Sequence, residues 1–222
     1  MKNEKRMVWI LQFQEINKLM EGQLEKWHSI TEIRKTYDEF IKNLKKLKDL
    51  QPDLEKNLGP VQDELKEKQE NLIGKFFPVA NILAVYGSDN KLKKGVRSII
   101  ISRDELNKMN KGKLLDLAGR MLKTMEKFFP DQEQAESELS QYGLTAIMVD
   151  EFSTALTKYA YALQLNKDLL RNRSKSKKTS NRLLKDNCKL LEKRLDRLMT
   201  VFSITHPSFY QDYASIRRSK TA

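Results

Sequence analysis

The chain has 222 residues, of which 39% are hydrophobic and 32% charged, and it carries a formal charge of +12. That balance suits long amphipathic helices better than a thick sheet sandwich, and eight Gly and five Pro leave few breaks. A single cysteine excludes an internal disulfide framework and any CxxC metal knuckle, which fits a reducing compartment.

The apolar run Val8 to Leu11 stops at Gln12, too short for a signal peptide or a membrane span. The expected location is therefore the cytoplasm. Charge is unevenly spread. From Asn166 onward 15 Lys and Arg face 5 Asp and Glu, whereas Glu126 to Glu151 holds 7 acids and one base.

Ile16, Met20, Trp27, Ile30, Ile33, Tyr37, Ile41, Leu44 and Leu47 keep helical spacing, which predicts one long helix from about Glu4 to Leu50. Gly22 inside it is a small penalty that packing can offset. Gln51-Pro52 and Gly59-Pro60 then mark a turn. A second helix follows, with Val61, Leu65, Leu72, Phe76, Ala80 and Leu83 on one stripe. Pro78 removes a bond to Gly74 and predicts a kink near Phe76-Phe77 rather than a stop. Gly87-Ser88-Asp89-Asn90 ends that element.

Residues 91–101 have local strand propensity but no strand to pair with, so a short helix or an apolar connector is expected. Ser102 and Glu105 form a capping box that starts a third helix near Arg103, continued by Leu106, Met109, Leu114, Leu117, Met121 and Phe128. Phe129-Pro130 breaks it, and a short acidic helix closed by Gly143 is expected next. From Thr145, Met148, Phe152, Ala155, Tyr159 and Ala162 define another helix.

Leu184, Cys188, Leu191, Leu195, Leu198 and Phe202 recur at spacings of 4, 3, 4, 3 and 4, a coiled-coil-like seam within Thr179–Phe202. These last two helices are expected to form a hairpin joined by the polar stretch Arg171–Asn181, as a loop or a poorly packed helix end. After the break at Thr205-His206-Pro207, Phe209, Tyr213 and Ile216 give a short terminal helix. The expected fold is all-α: an up-and-down bundle of about six helices with a short C-terminal helix. It is read as one domain over 1–222, with two helical halves, 1–88 and 102–222, as the alternative.

Three segments carry a family resemblance: Tyr142-Gly143-Leu144-Thr145, Leu195-Asp196-Arg197-Leu198-Met199, and Pro207-Ser208-Phe209-Tyr210-Gln211-Asp212-Tyr213 running to Arg217. Together with a looser match over Val79–Leu106, the last two-thirds of the chain resembles a family of uncharacterised bacterial all-helical proteins. The resemblance implies a helical fold and brings no activity, cofactor or partner.

Catalytic and metal-binding chemistry finds little material. Glu25 and His28 make one ExxH pair, but di-iron bundles need two, and His206 has Ser203 at the matching position. His28 is followed by Ser29-Ile30-Thr31-Glu32, unlike a phosphorelay histidine. Gly74-Lys75 and Gly112-Lys113 lack the rest of a phosphate loop. Cys188 lies on the seam and reads as a packed, inert thiol. The pairs Asp63-Glu64, Asp104-Glu105 and Asp150-Glu151 point about 100° apart on a helix and form no acid–base dyad. No catalytic residue, cofactor, metal or small-molecule substrate is inferred, and a non-enzymatic scaffold or protein-interaction module is the leading expectation.

The alternative expectation is sequence-independent binding of nucleic acid or another polyanion. Arg171, Arg173, Lys175, Lys177, Lys178 and Arg182 place six bases and no acid within 12 residues, and Arg217, Arg218 and Lys220 add to them. Without interleaved aromatics, base stacking is not suggested. The simpler reading is a solvated link between helices, whose Ser174, Ser176, Thr179 and Ser180 phosphorylation could alter. The terminal aromatics are expected to dock on the bundle, leaving Arg217 and Arg218 in water. A protein partner or self-association is expected, with the acidic stretch of one copy against the basic stretch of another.

Overall fold

A computed structural model describes residues 3–90, 101–128 and 138–219, with the side chains of residues 3–5 left aside. The fold is all-α: among the described residues there are helices and turns and no strand. The chain groups into two compact units, Met1–Lys56 with Arg171–Ala222, and Asn57–Leu170, each with its own apolar core. Those borders differ from the halves 1–88 and 102–222.

The first unit opens with α1 (Asn3–Glu21), a single turn α2 (Leu24–Trp27), α3 (Thr31–Asp49) and the short α4 (Gln51–Glu55). The long helix expected from Glu4 to Leu50 is thus broken twice. The buried Trp27 indole N–H donates to the Met20 carbonyl at 2.8 Å, satisfying a C-terminal carbonyl of α1. Ile30 is extended (φ −86°, ψ 102°), which redirects the chain before α3. Folding back lets both apolar stripes share one core. Phe13 meets Phe40 edge-on at 5.5 Å, Trp27 meets Tyr37 at 4.7 Å, and the Tyr37 hydroxyl donates to Asn17 at 2.8 Å.

The second unit begins with α5 (Gly59–Asp89), which continues through Pro78 rather than stopping there. The third predicted helix is divided into α6 (Arg103–Lys108) and α7 (Lys111–Phe128). Ser102 and Glu105 complete the capping box. Asn110 Oδ1 accepts from the Gly112 N–H at 2.9 Å and starts α7 anew, which is why the helix restarts where the apolar spacing alone runs on. Gly143 has φ +83°, the left-handed conformation that suits the turn before the next helix. The expectations for 91–100 and for an acidic helix after Pro130, over 129–137, fall outside the described residues.

α8 (Ala146–Leu190) runs for 45 residues, and this corrects the expected hairpin: Arg171–Asn181 is neither loop nor frayed end but continuous helix. No Gly or Pro interrupts residues 146–190, so nothing local stops propagation. A π turn follows at Leu191–Leu195, then α9 (Asp196–Met199), α10 (Phe202–Thr205) and the expected terminal helix α11 (Pro207–Arg218). The predicted seam keeps Leu184, Leu191, Leu195 and Phe202 buried but leaves Cys188 and Leu198 only half-buried. Asn187 and Met199 are fully buried instead. The π turn is wider than an α turn, so Leu191, Leu195 and Met199 align at intervals of four.

Candidate functional site

Helix geometry sorts the basic run into two sets. Arg171, Lys175, Lys178 and Arg182 recur at 4, 3 and 4, and the stripe continues at the same spacing through Lys185 and Lys189. All six are exposed, and none forms an ion pair among the described residues. At 1.5 Å per residue the stripe extends about 27 Å. Arg173 and Lys177 are also exposed, but lie about 200° around the helix from Arg171 and Lys175.

The opposite side of the same segment is pinned in the first unit. Ser176, Ser180, Leu183, Leu184 and Asn187 are buried. The Ser176 hydroxyl donates to Asp53 at 2.7 Å. Asn187 donates to the Phe40 carbonyl at 3.2 Å and accepts from the Asn43 amide at 2.9 Å. A buried, satisfied asparagine fixes rotation and register, so the six bases are held on the outer side by the core behind them. Of the four hydroxyls in the run, Ser174 is exposed, Thr179 half-buried, and Ser176 and Ser180 buried.

Lys185 and Lys189 lie beyond the basic run picked out from composition. A loop or a poorly packed helix end over Arg171–Asn181 would leave them out of line with Arg171, whereas the continuous helix aligns them. The absence of helix breakers after Ala146 is the sequence feature that carries this alignment.

No family model, curated protein or solved structure matches the chain.

Of the C-terminal bases, Arg217 does not lie in water as expected. Arg217 is drawn inward: its Nη2 lies 2.8 Å and its Nε 2.9 Å from the Asp196 carboxylate, and its side chain is only 19% exposed. Burial would lower the Arg217 pKa, but Asp196 outweighs that and holds the guanidinium above its ordinary value. The correction has a physical reason, since a guanidinium already matched to a carboxylate has little charge to offer a polyanion. Arg218 is exposed, with its Nε donating to the Ala214 carbonyl at 3.3 Å, and Lys220 is outside the described residues.

His28 is exposed. Among the described residues no three His, Cys, Asp or Glu side chains gather as a metal-binding group would. Burial, followed by Glu192, pushes the Cys188 thiol up to about 12, with Arg217 opposing. Two acids invoked for pairing between copies are already engaged: Glu138 accepts from Tyr86 at 2.6 Å, and Glu151 from Lys75 at 2.6 Å. No helix among the described residues is long and apolar enough to cross a membrane.

Proposed function

We propose that this is a non-catalytic, cytoplasmic helical protein that works through its surface, and that the basic face of α8 contacts the phosphate backbone of a nucleic acid without reading its sequence. The reading rests on six exposed bases at helical spacing with no acidic partner among the described residues. Phosphate contact of this kind gains free energy from counterion release and needs no base-edge chemistry. The stripe has no aromatic residue for stacking, which favours a duplex backbone over unstacked single strands.

Fluorescence anisotropy with a labelled duplex of arbitrary sequence tests the proposal. Binding should weaken steeply with salt, be indifferent to sequence, and disappear when the six stripe residues are changed together to Gln. Retained affinity in that variant would falsify the assignment.

A second reading, docking on a protein partner or a second copy, rests on Ile204 and Val201, which are 85% and 45% exposed around α10. Analytical sedimentation of the wild type and Ile204→Ser checks it. A monomer that captures no other chain, with no change on substitution, excludes this reading.

A further inference from the structure

The second unit contains a cavity of about 680 Å³ whose rim is built from α5, α6 and the start of α7. Its charged lining consists of Lys66, Arg103 and Lys111 against the single acid Glu70. Lys66 and Glu70 are 3.9 Å apart, the outer limit of an ion pair, and both are well exposed. Arg103 and Lys111 have no ion-pair partner among the described residues. The amides of Gln69 and Asn107 add neutral hydrogen-bonding groups, while Ile73 and Met109 supply apolar surface.

The supports beneath these bases are fixed. Leu106 is fully buried and anchors α6, whose first turn is tied by the Ser102–Glu105 capping box. The Lys111 carbonyl accepts from the hydroxyl of fully buried Tyr159 at 3.1 Å, holding the first turn of α7. Lys66 and Ile73 are two turns apart on one side of α5, and Ile73 reaches the core. Three cations from three anchored elements thus line one concave site of ligand size.

We infer that this cavity binds a small polyanionic molecule, a phosphate ester or a polycarboxylate, with Arg103 as the bidentate group and Lys66 and Lys111 as flanking charges. This site shares no residue with the basic face of α8 and does not depend on the reading given for it.

Isothermal titration of the full chain with inorganic pyrophosphate and, separately, citrate tests the assignment. At least one should bind saturably, and the tighter of the two gives the ligand class. Arg103→Gln and Lys111→Gln should each weaken binding by about tenfold or more, whereas the six-Gln variant of α8 should bind unchanged. Both substituted residues are exposed, so circular dichroism should show the variants folded. Failure of both anions to bind, affinity retained by the Arg103→Gln, Lys111→Gln double variant, or affinity lost with the α8 variant would each overturn the inference.

Discussion

Arg217 and Asp196 form a bidentate pair, with Nη2 to Oδ2 at 2.8 Å and Nε to Oδ1 at 2.9 Å. The Tyr213 hydroxyl donates to the same Oδ1 at 2.5 Å, and Gln12 on α1 donates to the Ile216 and Arg217 carbonyls. The pair therefore ties α11 to α9, while the glutamine ties it to α1.

Removing either partner leaves a half-buried charge unmatched. Arg217→Ala or Asp196→Ala should each lower stability by about 2 kcal/mol. The double variant should lose less than the sum of the singles, as chemical denaturation of all three would show. Additive losses would mean that the pair is not coupled.

Alkaline pH should destabilise the fold. Burial, then the Asp196 charge and hydrogen bond, pushes the Tyr213 phenol far above its ordinary value. Burial raises Tyr159 to about 12, and the bond to Glu138, followed by burial, raises Tyr86 to about 12. A folded pKa above the unfolded one stabilises fully below the unfolded value of about 10 and is lost as pH rises beyond it. Melting temperature should thus be insensitive to these groups at neutral pH and fall above about pH 10. Tyr213→Phe should lower the neutral value and make the alkaline fall shallower.

Cys188 should be unreactive while the chain is folded. Its thiol is half-buried and raised to about 12, chiefly by burial, so little thiolate exists near neutral pH. Labelling with an aromatic disulfide reagent should be slow in buffer and complete on denaturation. Fast labelling of the native protein would contradict the packing described for this position.

The bond from Trp27 to Met20 should matter to the reversal between α1 and α3. Trp27→Phe keeps an aromatic side chain but removes the donor, and should cost about 1 kcal/mol. Trp27→Ala should cost about 3 kcal/mol or more. Equal effects of the two variants in thermal unfolding would show that the indole N–H contributes nothing.

Two glycines should respond with opposite signs. Gly74 lies in α5 with nothing within 4 Å of where a Cβ would stand, so Gly74→Ala should stabilise by about 0.5–1 kcal/mol. Gly143 has φ +83°, and Gly143→Ala should destabilise by about 1 kcal/mol. Guanidinium unfolding midpoints would report both.

Salt dependence should separate the two sets of bases on α8. If all six stripe residues contact phosphates, the logarithmic salt slope should be about −5 for duplex DNA. Each of Arg171, Lys175, Lys178, Arg182, Lys185 and Lys189 changed to Gln should reduce it by about one. Arg173→Gln and Lys177→Gln should change it less, because they lie on another side of the helix. Equal effects from all eight would indicate diffuse attraction rather than a face.

The sequence by itself determined the class of fold, the Ser102–Glu105 cap, the terminal helix and most of the buried positions. Those features are written in apolar periodicity and in contacts between residues three or four apart, which any short segment carries within itself. Only the tertiary structure decided that α1 and α3 fold back on each other, because the Phe13–Phe40 contact joins residues far apart in the chain. It also decided which side of the helix after Leu170 packs inward, with Ser176 and Asn187 satisfied by Asp53, Asn43 and Phe40. With the helix continuous, Lys185 and Lys189 fall into line with Arg171, while Arg217 turns inward to Asp196. Charge composition could count those residues, but which of them face water depends on what packs behind each one.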